Sequence, residues 1–372
     1  MRQRRATSST IGLVLICGLL FVAAGRAAEP TVQPALDGIF GAFQKHPLVG
    51  IGDVHGLANG LAFYGKLIRD PRFARDVGNV VAEFGASQHQ DILDRYVAGE
   101  YVPYGELAKV WRNTVAWSPT VDDVGYQTFF AQVRAVNQSL PAAQRIRVVL
   151  SEPPIDWNAI HTRDAWQKIY DQRDRHAAGV IVREILERGR KALVIYGSAH
   201  YFAYPWPSTM PQPAGGRQIL GDIVRRTYPD AFYFVSIYDG FAKPGCAAPL
   251  EAAMKWPKEV LVSPLKGTRL EQVLMPPGCA EPIRGVDPPL PPDENARLER
   301  RFYEISSGVA GDALLYLAPA AELMPSSADA TLWMDLDYNK EIARRGEIRG
   351  YPLQPWPELV SWYGNPIPRW RP

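Results

Sequence analysis

The sequence predicts an α/β protein, a mainly parallel β-sheet with helices on both faces. Short apolar runs at Pro47–Asp53, Asn79–Phe84, Arg145–Leu150 and Ala192–Tyr196 stop at a glycine or an acid. Continuous runs of this kind read as strands buried on both sides of a parallel sheet. The segments between them carry apolar residues at helical spacing. Strand and helix alternate through residue 200, the pattern of βαβ units.

Taken in order, Val32–Phe43 is expected as a helix and Pro47–Asp53 as the first strand. His55 then opens a helix to about Arg69, with Leu57, Leu61, Tyr64 and Leu67 on one face. The second strand, Asn79–Phe84, turns at Gly85 into a helix over Ser87–Ala98. Residues 101–140 form an insertion with two aromatic-rich helices, Tyr104–Thr114 and Val121–Ser139, expected to cap the site. The third strand, Arg145–Leu150, runs into Ser151-Glu-Pro-Pro, where two prolines end regular structure. A long helical pattern covers Ala165–Arg188, with Gly189 as its C-cap before the fourth strand. Beyond residue 200 come a helix at Arg217–Tyr228, a strand at Ala231–Tyr238, and an irregular proline-rich segment at 240–300. A last core strand at Asp312–Leu317, a helix at Leu332–Arg345 and an extended tail follow.

Residues 1–27 read as a secretory signal, and 28–372 as one α/β domain whose motif-bearing core spans 48–202. The leader has Arg2, Arg4 and Arg5, then 14 apolar residues from Ile11 to Ala24, short for a membrane span, then small residues around Arg26. The alternative is an uncleaved N-terminal anchor. The protein is therefore expected to be exported, periplasmic or secreted, with no stable membrane insertion once the leader is removed. Without the leader's four arginines the chain holds 37 basic and 39 acidic residues. That balance speaks against nucleic acid as a partner and leaves a small-molecule substrate as the expectation. The leader aside, two cysteines remain, Cys246 and Cys279. In an exported chain they read as a disulfide closing a loop of about 33 residues, stabilising by roughly 3–4 kcal/mol. Two unpaired thiols are the alternative.

The chemistry gathers at strand ends. Gly52-Asp-Val-His55 and Gly197-Ser-Ala-His200 each place a histidine three residues past a strand-end glycine. The carboxyl edge of an open α/β sheet is where ligands bind. An imidazole there can take a proton from water at neutral pH. Glu83 and Glu152 end apolar strands, and a buried carboxylate needs a partner. Arg173, on the helix before the fourth strand, is placed to meet an anionic group or a developing oxyanion, or else belongs to a solvated charge run. His55 and His200 are equally suited to be metal ligands. No helical His-Glu-x-x-His, no Gly-x-Ser-x-Gly elbow, no phosphate loop and no dinucleotide fingerprint is present. His89 and His161 read as surface residues, and His46 lies before the first strand, at the opposite edge.

With Gly52-Asp-Val-His55, Glu83 in Val-Val-Ala-Glu-Phe-Gly, and Gly197-Ser-Ala-His200, the chain resembles a superfamily grouping erythromycin esterases, ChaN-like haem-binding lipoproteins, and the TraB and Tiki proteins. Arg173-Asp174 stands where the esterases carry an Arg-Asp pair. The resemblance covers about residues 48–202 and departs from the esterase pattern at Gly56-Leu-Ala-Asn. The esterase branch implies a metal-free, water-activating histidine that opens a lactone. The Tiki branch implies a metal-dependent peptidase, and the ChaN branch haem binding without catalysis. The function expected is a hydrolase of an ester, lactone or amide, needing no cofactor. His55 would be its base, Glu83 the partner that orients it, His200 and Arg173 the oxyanion or leaving-group contacts, and Glu152 a second acid. The alternative is a non-catalytic protein that binds haem or a metal ion through His55 and His200.

Overall fold

A computed structural model describes residues 28–115, 123–201, 218–240, 247–268, 270, 311–327, 329 and 335–350. The strands are β1 (Thr31–Pro34), β2 (Leu48–Asp53), β3 (Asn79–Ala86), β4 (Arg147–Glu152), β5 (Ala192–Gly197), β6 (Phe232–Ile237), β7 (Val260–Ser263) and β8 (Ala313–Tyr316). They form one eight-stranded sheet in the order β1-β7-β8-β6-β2-β5-β3-β4. From β8 to β4 every pairing is parallel, and β7 alone runs antiparallel to both its neighbours, β8 and β1. The mainly parallel sheet expected from the apolar runs is present.

β2 sits mid-sheet, with Leu48 opposite both Ala192 and Phe232. β5 is inserted between β2 and β3 although β3 and β4 precede it in the chain. The crossover makes β2, β5, β3 and β4 four adjacent strands, and these are the strands that carry the candidate residues. Between β3 and β4 the register shifts from Ala82 opposite Leu150 to Ala86 opposite Glu152. Such a bulge re-aims the side chains of the strand that bears it, and Glu83 lies within it.

The helices are α1 (Ala35–Phe43), α2 (Ala58–Arg69), α3 (Gln90–Ala98), α4 (Val124–Gln138), α5 (Arg163–Tyr170), α6 (Arg173–Ile181), α7 (Leu220–Thr227), α8 (Ala248–Met254) and α9 (Leu336–Arg349), with shorter helical turns between them. Strand alternation divides the core into two layers. Val49, Ile51, Val80, Ala82, Val148, Leu193 and Ile195 face α1 to α4, where Phe43, Leu61, Tyr64, Leu93, Phe129 and Phe130 are buried. Leu48, Val81, Val149, Val194, Phe232 and Phe234 face α6 and α7. Each such side chain, fully buried, contributes about 1.5–3 kcal/mol. α4 packs against α2 and α3, and its first turn reaches the sheet edge. Asp123 caps that turn, accepting from the Gly125 N–H at 2.6 Å.

Several boundaries differ from expectation. Val32 belongs to the edge strand β1, and the helix begins at Ala35. Pro34 ends the strand because it has no N–H to give the ladder, which an edge strand tolerates. The long pattern over 165–188 breaks between Tyr170 and Arg173 and ends in a π-turn over Val182–Leu186. The proline-rich stretch 240–300 is not wholly irregular, since it supplies α8 and β7. β4 starts at Arg147 and runs two residues past Leu150, so that Glu152 is its last residue. The final helix runs on to Arg349, capped by the Asp335 side chain and stopped at Gly350, whose φ is +76°. The leader, the Cys246–Cys279 pair and the tail from 351 lie outside the described residues. Among the described residues no helix is long and apolar enough to cross a membrane.

Candidate active site

Four strand ends deliver their polar residues to one place at the carboxyl edge. Glu83 is the centre of it. Its Oε1 accepts from Arg173 at 2.9 Å and lies 3.3 Å from His200 Nε2. Its Oε2 accepts from the Gly197 backbone N–H at 2.6 Å and lies 3.9 Å from His55 Nε2. Both imidazoles expected to converge therefore flank a single carboxylate. Burial pushes Glu83 up, but its pairing with His200, His55 and Arg173 outweighs it and holds the group well below the usual carboxylate range.

The two strand-end glycines have a steric reason to be there. A Cβ at Gly197 would stand 2.8 Å from His55 Nε2, and one at Gly52 would stand 2.6 Å from Ser198 Oγ. A side chain at Gly197 would displace the His55 ring, and one at Gly52 would displace the Ser198 hydroxyl.

His55 and His200 differ in their surroundings. His55 Nδ1 lies 2.8 Å from Asp53 Oδ2 and 3.1 Å from the Tyr126 hydroxyl. Asp53 is buried and fully engaged. Tyr64 donates to its Oδ1 at 2.7 Å, and Tyr126 donates to its Oδ2. With Nδ1–H given to Asp53, a neutral His55 carries its lone pair on Nε2, on the side of Glu83. The side chain is 26% exposed, which leaves that ring within reach of water. Burial lowers the His55 pKa, yet Glu83 and Asp53 more than reverse this, and the net shift is upward.

His200 is enclosed. Its Nδ1 bonds Asp174 and its Nε2 faces Glu83. Burial opposes its charge, but Asp174 and Glu83 raise its pKa to about 10. At neutral pH it is a fixed imidazolium and has no lone pair to offer as a base. The Tyr196 ring meets it edge-on, with centroids 5.2 Å apart.

Arg173 bridges the two glutamates. It gives Glu152 a two-toothed pair, Nε at 2.9 Å and a terminal nitrogen at 2.7 Å, and that same terminal nitrogen reaches Glu83. Glu152 is fully buried, and burial pushes its pKa up against the pull of Arg173. Ser151 donates to the Ala82 carbonyl at 2.9 Å and meets the Tyr196 hydroxyl at 2.5 Å.

All five residues expected from the sequence, His55, Glu83, Glu152, Arg173 and His200, thus lie in one connected network. Two expected roles differ from the geometry. The acid bonded to His55 is Asp53, because Glu83 is drawn onto Arg173, Gly197 and His200. The observed bonds of Arg173 all go to the carboxylates of Glu83 and Glu152, with its charge drawing both toward the ionised form against their burial. The structure adds Asp53, Tyr64 and Tyr126 to the site and gives Asp174, of the Arg173-Asp174 pair, its partner His200. Asp53 had a signal, an acid ending an apolar strand just as Glu83 does.

His55 offers the imidazole nitrogen best placed for a metal or haem iron. His200 does not, since both its nitrogens face carboxylates and it holds its protons, which metal binding would have to displace. Among the described residues no group of three or more His, Cys, Asp or Glu is arranged to hold a metal ion.

In comparison with known proteins, no family model and no curated protein matches the chain. Among solved structures, a Bacillus cereus protein is similar with a TM-score of 0.47 and 12% identity, over 82% of this chain and 97% of that one. The type III effector HopBA1 is similar with a TM-score of 0.37 and 13% identity, over 58% of this chain and 88% of its own. ChaN of Campylobacter jejuni, described with cofacial haem, gives a TM-score of 0.32 and 12% identity over 56% and 91% of the two chains.

Proposed function

We propose that the chain is a hydrolase of an ester, lactone or amide in which His55 activates water. One observation carries this reading: Asp53 fixes Nδ1 of a part-exposed imidazole at 2.8 Å while Nε2 is left on the Glu83 side. A base needs that combination of a set tautomer, a free lone pair and access to water. When Nε2 takes the proton, the imidazolium lies between Asp53 and Glu83, and both lower its energy. His200 and Arg173 keep Glu83 ionised for that purpose. Tyr64 and Tyr126 hold Asp53 in position. The partner is a small-molecule substrate, met outside the cytoplasm if residues 1–27 act as the expected leader.

The test is a hydrolysis screen over esters, lactones and amides, run with and without chelator. His55→Ala is expected to keep the far-UV circular dichroism of the parent and to abolish turnover of whichever substrate responds. Turnover retained by His55→Ala removes His55 from the base position. Turnover lost on chelation replaces this route with a metal-dependent one.

A second reading, a non-catalytic haem- or metal-binding protein, draws on the same part-exposed ring. It predicts a Soret band on haem titration, or metal by elemental analysis, lost in His55→Ala.

A further inference from the structure

A serine–histidine pair, on the turn after β3 and on the helix that carries Arg173, takes no part in this network. Ser87 Oγ and His176 Nε2 are 3.0 Å apart. Both side chains are half-buried. Ser87 is the first residue after β3, where a short 3₁₀ turn over Ser87–His89 leads into α3. His176 lies on α6, one turn beyond Arg173. We propose that Ser87 and His176 form a nucleophile–base dyad that accepts an acyl group from small, unhindered esters, separately from the water chemistry at His55.

Three observations support it. The first is placement. Ser87 stands at a strand-to-helix turn on the carboxyl edge of the parallel sheet, where such folds bind their ligands. Gly85, two residues before it, is packed so closely that a Cβ would lie 2.4 Å from the Leu150 side chain. Glycine at that position lets β3 approach the Leu150 side chain of β4.

The second is rigidity. Gln88 is bonded both ways to the Ile155 backbone, giving to its carbonyl at 3.1 Å and accepting from its N–H at 3.0 Å. Gln90 does the same across β4, to the Val148 carbonyl and from the Leu150 N–H, each at 2.7 Å. The turn that follows Ser87 is therefore tied twice to β4 and the segment after it, and a nucleophile gains from being held in place before reaction.

The third is the state of the imidazole. Burial, with the Arg183 charge adding to it, lowers the His176 pKa. At neutral pH His176 is uncharged, and with its proton on Nδ1 its Nε2 accepts from the Ser87 hydroxyl 3.0 Å away. A neutral imidazole hydrogen-bonded to a hydroxyl is the arrangement in which serine is activated.

The step balances without a further reagent. Nε2 of His176 takes the Ser87 proton as Oγ bonds the acyl carbon. The bond from that carbon to the leaving oxygen breaks, and the proton passes from His176 to the departing alcohol or phenol. Water later splits the acyl–Oγ ester by the same path in reverse.

The experiment is covalent labelling of the full chain with p-nitrophenyl acetate and with an alkyl fluorophosphonate, which bonds phosphorus to Oγ with loss of hydrogen fluoride. Peptide mass spectrometry locates the adduct. The expected result is a single adduct on Ser87, absent from Ser87→Ala and formed at least about 100-fold more slowly in His176→Gln, with unchanged circular dichroism in both variants. An adduct found only elsewhere, no adduct at saturating reagent, or an unchanged labelling rate in His176→Gln overturns the proposal. The readout is an adduct at a named residue, so its failure leaves the His55 reading standing, and loss of the His55 reading leaves this one standing.

Discussion

Asp53 and His55, two residues apart, are joined by a 2.8 Å hydrogen bond from Nδ1 to Oδ2, so the end of β2 and the turn after it supply both members of the dyad. Two tyrosines from α2 and α4 donate to the same carboxylate. Asp53→Asn keeps the shape of that acid and removes its charge. It is expected to reduce turnover by roughly 10²- to 10⁴-fold, the span of general acid–base catalysis, with little change in thermal unfolding. Turnover within a factor of about three of the parent would free His55 from any dependence on Asp53.

Gly197→Ala tests the close approach of β5 to the His55 ring. The added methyl falls 2.8 Å from Nε2. The ring must move, and displacing a packed group in this way costs about 1–3 kcal/mol. The expected outcome is a folded protein with turnover reduced more than stability, measured by parallel rate and thermal-melt determinations. A variant with parent-like rates would mean that Nε2 is not where the reaction happens.

Arg173→Met leaves Glu83 and Glu152 buried without their shared cation. Removing one partner of a buried ion pair costs about 3–5 kcal/mol. Urea unfolding is expected to show a loss of that size, and pairing the change with Glu152→Gln should restore part of it. A loss under about 1 kcal/mol, typical of exposed pairs, would contradict the burial of this network.

The His200 proton links stability to pH. Its folded pKa of about 10 lies above the ordinary 6.5, held there against burial by Asp174 and Glu83. The stability this contributes is complete below about pH 6.5 and is lost as pH rises through about 10. Unfolding free energy should therefore fall over that window, and Asp174→Asn should shift the fall to lower pH. A profile left in place by Asp174→Asn would deny Asp174 its hold on His200.

Much of this was legible in the chain. β2 to β6 and β8 are continuous apolar runs because both their faces are covered, and coverage leaves a mark in composition. β1 and β7 left none. Each has four residues, β1 is largely exposed at the sheet margin, and β7 is surrounded by prolines. The five residues expected at the site meet there because a histidine or acid ending an apolar strand needs a physical reason. Tyr126 joins them from 71 positions beyond His55, through the packing of α4, and no local pattern could announce that. The pairing of His55 with Asp53 instead of Glu83 turned on which cations reach Glu83 first, a matter of three-dimensional competition rather than of spacing.

β1 runs in the same direction as the parallel strands, since it is antiparallel to β7 and β7 is antiparallel to β8. The polypeptide ahead of Thr31 thus joins the sheet at its amino side, away from His55. An affinity handle fused there and captured on a sensor chip would turn the carboxyl edge of the sheet, with His55, toward the flowing solution, which makes amino-terminal immobilisation the orientation of choice for ligand screening.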